Sequence, residues 1–261
     1  MEAAGLHLLQ TLALVDSPRR SAVARLDADG RLVALDLVAS DDEIVAAVPA
    51  SVGALVVDAP LAVPDDRGRR DVETVLAWCD IPAFPAARRR LEQVHGGLRG
   101  EALAPRLGAG RLLAETLPGH VLRQLLWERE HPLGAPPLPL ADYRALWLGL
   151  RPPEYRPKGA GRAKPAGLLP AHRLLAEVVD LRGWAPAAGP GDDWAAIADA
   201  ARLDAIACAY AAWRRASGGD EASVTVGTPE RGVIVLPADA NLRERMTLNL
   251  KRLREEGAVR I

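Results

Sequence analysis

The chain has 261 residues, of which 49% are hydrophobic, and its formal net charge is −1. This length and apolar content suit one large domain with a sizeable core, and the charge excludes a global basic field that would draw nucleic acid to the whole surface. Two cysteines, Cys79 and Cys208, are too few for a disulfide framework. Because neither a leader-like segment nor a membrane-length apolar run is found, we expect a cytoplasmic protein without membrane contact.

The N-terminal part of the chain predicts a series of strands. Thr11–Asp16 is a short apolar run that ends in a carboxylate. The runs Ser21–Leu26 and Arg31–Val38 are joined by an Asp-Gly pair and predict a β-hairpin. A short helix over Asp42–Val48 with Ser40 or Asp41 as its candidate cap follows, and Ala54–Val57 then predicts a fully buried strand.

The remainder of the chain predicts helices with a few more strands. The predicted elements are an arginine-rich helical stretch from Asp65 to Gly110, a strand over Arg111–Leu117, helices over Val121–Glu130, Leu168–Leu181 and Asp193–Ala216, a hairpin of Ser223–Gly227 with Gly232–Leu236, and a closing helix over Asn241–Glu256. This order predicts an α/β fold with a mixed sheet and helices on both faces. The first three strands should be antiparallel, and Ala54–Val57 should be parallel to the first strand.

Four carboxylates lie at the ends of apolar segments or within them, where burying a charged group costs free energy. Asp16 and Asp58 end apolar runs, Glu115 lies inside one, and Asp204 falls on the apolar stripe of a predicted helix. A shared divalent cation would compensate several of them at once, and oxygen-only ligation predicts Mg²⁺ or Mn²⁺. Each acid taken alone is more often a structural residue, such as a turn or helix cap, and only the set of four favours a metal site.

Five short motifs occur in the order expected for one known family. They are Val57–Leu61 (VDAPL), Ala114–His120 (AETLPGH), Glu154–Lys158 (EYRPK), Leu203–Ala209 (LDAIACA) and Gly232–Pro237 (GVIVLP). In this order they resemble the domain of unknown function 429 family, predicted nucleases of the RNase H-like fold. The Leu203–Ala209 segment is also similar to the last acidic helix of Holliday-junction resolvases.

The resemblance implies a metal site and a fold. It implies an RNase H-like mixed sheet in a single domain over residues 1–261, with a helical and basic-loop insertion at about 62–167. It implies Asp16, Asp58 and Asp204 as metal ligands, with Glu115 beside them as a fourth catalytic acid. Asp16 matches least well, because Ser17-Pro18-Arg19-Arg20 replaces the small residues and Gly-aromatic pair that usually follow this acid in the family.

Basic residues close to these motifs are candidates for phosphate binding. Arg67 and Arg70 follow Asp58, and the Gly/Pro-rich loop 151–167 carries the remaining candidates, which are Tyr155, Arg156, Lys158 and Arg162. Such a loop can clamp phosphate groups, so we expect any nucleic-acid partner to bind there. The alternative is a solvated surface in an arginine-rich protein.

The sequence therefore predicts a metal-dependent nuclease that hydrolyses phosphodiesters with Mg²⁺ or Mn²⁺. Two alternatives stay open: a non-catalytic binding protein on the same fold, and an ATP-dependent phosphotransferase of the actin-like class. The absence of glycine after Asp16 argues against the phosphotransferase. Because clustered carboxylates repel each other, we expect Asp58→Asn to abolish activity at an equal or higher melting temperature.

Overall fold

The computed structural model of the protein describes residues 1–10, 20–156, 164–187, 189 and 192–261. The strands in these residues are β1 (Glu2–His7), β2 (Ser21–Leu26), β3 (Leu32–Val38), β4 (Val52–Val57), β5 (Leu112–Glu115), β6 (Ser223–Thr228) and β7 (Gly232–Pro237). The α-helices are α1 (Asp41–Ala47), α2 (Asp71–Trp78), α3 (Arg88–His95), α4 (Arg99–Leu107), α5 (Pro118–Glu130), α6 (Leu140–Gly149), α7 (Leu168–Ala176), α8 (Asp193–Ala222) and α9 (Ala240–Glu255).

All seven of these strands form one mixed sheet in the order β3-β2-β1-β4-β5-β7-β6. Strands β1, β2 and β3 pair antiparallel, whereas β4 is parallel to β1, β5 to β4, and β7 to β5. The predicted α/β class and the predicted strand directions are therefore confirmed. The first strand, however, is Glu2–His7, and the run Thr11–Asp16 that we assigned to it lies outside the described residues.

Local signals explain the elements that the sequence predicted. The carboxylate of Asp27 accepts hydrogen bonds from the backbone N–H groups of Asp29 and Arg31, and Gly30 adopts the positive φ that closes the β2–β3 hairpin. Ser40 caps α1 by accepting from the Glu43 N–H. The arginine-rich stretch is broken into α2, α3 and α4, with Pro82 and Pro85 in the connection between the first two.

Helices cover both faces of the sheet, as predicted. Alternate residues of β4 point to opposite faces: Ala54 and Val56 pack with residues of α5, α7 and α8, whereas Leu55 and Val57 pack with residues of α1 and α4. A third apolar cluster joins the β6–β7 end of the sheet to α2 and α9. The range 62–167, which we expected as an insertion, contains the core strand β5 as well as helices α2 to α6.

Helix α8 packs closely on the central strand because both surfaces are made of small residues. A Cβ atom added to Gly5 of β1 would lie 2.0 Å from the Ala209 nitrogen and 2.1 Å from the Ala205 carbonyl oxygen. This glycine therefore sets the distance between β1 and α8, and with it the position of Asp204. In the described parts of the chain, no helix is both long and apolar enough to cross a membrane.

Candidate metal site

Three neighbouring strands end in polar side chains at one edge of the sheet. His7 is the last residue of β1, Asp58 directly follows β4, and Glu115 is the last residue of β5. Backbone hydrogen bonds continue the pairing beyond the strands, from Asp58 N–H to the Leu6 carbonyl (3.1 Å) and from Thr116 N–H to the Val57 carbonyl (2.8 Å). Because β1, β4 and β5 are parallel, their carboxyl ends meet at this edge, where ligands bind in open α/β sheets.

Asp204 reaches the same edge from helix α8. The side chain is 3% exposed, and its Oδ1 atom accepts hydrogen bonds from the Tyr155 hydroxyl (2.5 Å) and from Arg156 Nε (2.8 Å). Its Oδ2 atom lies 3.5 Å from His7 Nδ1. The structure therefore brings Asp58 and Asp204 together, as predicted, and adds His7 as the third member.

The site cluster, defined as His7, Asp58 and Asp204, has the spacing of a cation site. One ligand atom from each of the three residues lies within 4.8 Å of the others. His7 Nδ1 donates a hydrogen bond of 2.6 Å to Asp58 Oδ2. Two carboxylate oxygens and one imidazole nitrogen are a donor set that binds divalent transition metals.

Each carboxylate of the site cluster has one oxygen held by a protein donor. Asp58 Oδ1 accepts from the Leu8 N–H at 2.9 Å, and Asp204 Oδ1 accepts from Tyr155 and Arg156. Their Oδ2 atoms are the ones that approach His7 Nδ1. Such outer hydrogen bonds fix the orientation of metal-binding carboxylates in proteins, so the two Oδ2 atoms are already directed toward one point.

Arg156 lies across both carboxylates. Its Nη2 atom is 2.7 Å from Asp204 Oδ1 and 3.5 Å from Asp58 Oδ2, while 45% of the side chain stays exposed. The guanidinium therefore balances the two acids in the absence of any other cation. Its exposed part leaves it free to contact an anion that approaches from outside.

The charges within the site cluster shift its pKa values in opposite directions. Burial alone lowers the pKa of His7, but the charge of Asp58 and the hydrogen bond to it, together with Asp204, outweigh burial and raise it above the usual value. Burial would raise the pKa of Asp58, yet His7 and Arg156 bring it below the usual value. For Asp204, burial dominates over Arg156 and His7 and keeps the pKa raised.

Glu115 has a different surrounding from the one we predicted. Arg70 donates to both of its oxygens, from Nη1 at 2.8 Å and from Nη2 at 2.7 Å, and the Leu61 N–H donates a third hydrogen bond. The Nε atom of Arg70 donates to Glu73, and all three charged side chains are buried. Glu115, which we expected beside the metal ligands as a fourth catalytic acid, and Arg70, which we expected to bind phosphate, instead form a buried ion pair with each other in the structure.

The remaining predicted site residues fall into two groups. Arg67 is exposed on the loop before α2, and Tyr155 is buried with its hydroxyl on Asp204, so Tyr155 positions that acid instead of facing phosphate. Asp16, Lys158 and Arg162 lie outside the described residues.

The sequence analysis missed His7. Its signal was available, since Ala3, Ala4 and Leu6 form an apolar run that ends in a polar residue, as Ala54–Val57 does before Asp58. Burying a neutral imidazole costs much less free energy than burying a carboxylate. The cost of burial therefore marks the acids as unusual but does not mark His7.

A search of protein-family models, of curated proteins and of solved structures finds no match to this chain. The resemblance drawn from the motifs therefore stays a prediction.

Proposed function

We propose that this chain is a metal-dependent phosphodiesterase on an RNase H-like fold, with His7, Asp58 and Asp204 as the cation ligands. The observation that carries the proposal is the convergence of these three side chains at the carboxyl ends of β1 and β4, against helix α8. The site combines two of the three metal-binding acids that the motif resemblance implies, Asp58 and Asp204, with an imidazole at the end of the first strand, while the third, Asp16, lies outside the described residues.

The topology supports the fold part of the proposal. Three antiparallel strands are followed by strands β4 and β5, which are parallel to β1, and this is the arrangement that we expect for an RNase H-like core. Helix α8 lies over β1 and brings its acid to the same strand ends. The closeness of Asp204 to Asp58 supports this part of the proposal.

The donor set fits a divalent cation but changes the expected metal. Mg²⁺ prefers a shell of oxygen ligands alone, whereas an imidazole nitrogen favours Zn²⁺ and related ions, and the two carboxylates also suit Mn²⁺. We therefore infer Mn²⁺ or Zn²⁺ in place of Mg²⁺. When bound, such an ion supplies an activated water and polarises a phosphoryl oxygen.

The protein's own side chains have separate tasks in this proposal. Tyr155 and the Leu8 N–H hold one oxygen of each carboxylate, so the other oxygens keep their direction. Arg156 balances the acids in the free protein and pairs with the substrate phosphate once a cation has replaced it at the carboxylates. The half-exposed side chain of Arg156 suits that exchange.

Hydrolysis of bis(p-nitrophenyl) phosphate with Mn²⁺ tests the proposal without assuming a nucleic acid. We expect turnover that EDTA abolishes, and that Asp204→Asn lowers by at least about 100-fold because the cation is lost. Asp36→Asn, an exposed acid on the edge strand β3, is the matched control and should keep full activity. Absence of turnover by the wild-type protein with Mn²⁺ and with Zn²⁺ would refute the proposed activity.

One observation favours a second candidate, a non-catalytic binding protein. In the described structure, Arg156 and His7 already balance both acids, so the cluster is also a closed ion-pair network. A protein that binds nucleotides and shows no turnover with either metal would belong to this second class.

A further inference from the structure

A cavity of about 540 Å³ opens next to the site cluster, at the ends of β4 and β5. Asp58 and Arg156 are among the residues that line it, so the cavity and the proposed cation site share a border. Much of its wall is apolar and comes from Ile81, Phe84, Leu91, Val94, Leu117 and Trp147. Phe84, the only phenylalanine of the chain, is 88% exposed at this cavity. The volume lies within the range of small-molecule sites.

Four residues that line this cavity carry buried polar atoms without a hydrogen-bond partner among the described residues. These atoms are Gln10 Nε2, Thr116 Oγ1, His120 Nδ1 and Trp147 Nε1. A buried polar atom without a partner is unfavourable and calls for an explanation such as a ligand. The residues around the cavity therefore include hydrogen-bonding groups that the described parts of the protein do not satisfy.

The tautomer of His120 shows that the residues lining the cavity include a hydrogen-bond acceptor as well as donors. Its Nε2 atom lies 3.1 Å from the Pro237 carbonyl oxygen, which can only accept, so Nε2 carries the hydrogen and Nδ1 is left as an acceptor. Burial lowers the pKa of His120 to about 4 and keeps this ring neutral at neutral pH. Trp147 Nε1, in contrast, is a donor only. The ring centroids of His120 and Trp147 are 5.5 Å apart, so the acceptor and the donor belong to neighbouring rings.

Arginine side chains also line the cavity. Arg90 is exposed, and Arg123 lies over the Trp147 ring at 5.6 Å. Arg156 connects the cavity with Asp58 and Asp204. Among the described residues, the carboxylates on the lining are Asp58, Glu73 and Glu115, and each is paired with an arginine. An anionic group on the ligand would therefore be attracted to the positive charge of Arg156.

We propose that this cavity binds the base of a nucleotide whose phosphate lies at Arg156, beside the site cluster. A planar heteroaromatic ring with hydrogen-bonding edges matches apolar walls that carry both donors and an acceptor. A base inside a cavity is unstacked, so the substrate is a mononucleotide derivative or the unpaired end of a strand, not a continuous duplex. This inference rests on the proposed phosphodiesterase function for its account of the phosphate.

Calorimetric titration of the full chain with AMP, GMP, CMP, UMP and ribose 5-phosphate, all without metal, tests the base site. We expect at least one of the four nucleotides to bind about tenfold or more tightly than ribose 5-phosphate, since stacking and edge contacts require a base. If none of the four binds more tightly than ribose 5-phosphate, the base site is refuted.

Two glycine variants test whether the preference for a nucleotide arises in this cavity. Gly119 lines the cavity at the start of α5, and a Cβ there would meet no heavy atom of the described residues within 4 Å, so Gly119→Leu places a bulky group at the cavity without a clash with them. Gly149, at the end of α6, is equally unobstructed and is not among the cavity-lining residues, so Gly149→Leu is the matched control. Gly119→Leu should reduce the preference for the nucleotide over ribose 5-phosphate to nearly onefold, whereas Gly149→Leu should retain it. Equal binding by wild type and a folded Gly119→Leu would overturn the location.

The outcome is separable from that of the proposed function. Turnover of bis(p-nitrophenyl) phosphate with no preference for a base would refute the base site and leave the phosphodiesterase standing. A base preference that Gly119→Leu removes, in a protein without metal-dependent turnover, would support the base site and refute the phosphodiesterase.

Discussion

No side chain fits between Gly5 of strand β1 and Ala209 of helix α8, because a Cβ on Gly5 would lie 2.0 Å from the Ala209 nitrogen. This contact allows the alanine-rich helix to lie directly on the central strand. As a consequence, Asp204 of the helix comes within 3.5 Å of His7 at the strand end. The geometry of the site cluster therefore depends on a residue that takes no part in its chemistry.

Gly5→Ala should destabilise the protein by about 3 kcal/mol or more, since the added methyl group would have to push apart two backbones in a packed core. Urea denaturation followed by circular dichroism measures this change. Gly119→Ala is the control, because a Cβ at that position meets no atom within 4 Å. A Gly5→Ala protein as stable as the wild type would show that β1 and α8 are not in direct contact.

Arg70→Met should cost about 3–5 kcal/mol, because it leaves Glu115 and Glu73 buried without their counter-ion. Arg67→Met, three residues earlier and exposed, should change the free energy of unfolding by less than about 0.5 kcal/mol. The two variants are compared by denaturant titration at pH 7. Equal stability of both would argue that Glu115 is not held by Arg70 and would reopen its role as a catalytic acid.

The stability of the protein should depend on pH through His120. The unfolded chain binds a proton at the ordinary pKa of 6.5, whereas the folded protein keeps the ring neutral down to pH about 4. Unfolding therefore takes up a proton between these values, and the contribution of His120 becomes more destabilising as pH falls from 6.5 to 4, by about 3 kcal/mol in total.

His120→Gln removes this titration and retains an amide N–H that can donate to the Pro237 carbonyl. The difference in unfolding free energy between wild type and His120→Gln should therefore shift in favour of the variant between pH 7.5 and pH 4.5. A difference that is the same at both pH values would mean that His120 is not buried in its neutral form.

Asp58→Asn should lower the melting temperature, contrary to the expectation from repulsion among clustered acids. The folded pKa of Asp58 is lowered, since His7 and Arg156 stabilise its charge more than burial opposes it. Its charge therefore contributes stability above pH 3.8, which is lost as pH falls through the folded pKa. We expect a loss of roughly 2 kcal/mol at pH 7. Calorimetry showing an unchanged or raised melting temperature would restore the repulsion argument.

The sequence predicted most strands and helices because their signals are local. The Asp27–Gly30 turn, the Ser40 cap and the apolar run before Asp58 each act within a few residues. The first strand was missed, since Glu2–His7 is short and the run Thr11–Asp16 offered a carboxylate that a metal site would need.

Long-range pairing explains the errors in the site. Asp58 and Glu115 each follow or end an apolar strand, and the sequence does not distinguish them. The structure does, because Glu115 meets Arg70 from 45 residues away, whereas Asp58 meets His7 from 51 residues away. Tertiary contacts alone decide which buried acid is neutralised by arginine and which is available to a cation.

Titration of the full chain with Mn²⁺ by isothermal calorimetry tests the central claim, that the site cluster binds a divalent cation. We predict one Mn²⁺ per chain in the wild type, no detectable binding in Asp204→Asn, and wild-type binding in the control Asp36→Asn. In Arg156→Gln we predict about tenfold tighter binding, because the positive charge of the guanidinium next to the two carboxylates no longer opposes the cation. A wild-type protein that binds neither Mn²⁺ nor Zn²⁺, or an Asp204→Asn protein that binds them as the wild type does, would contradict the claim.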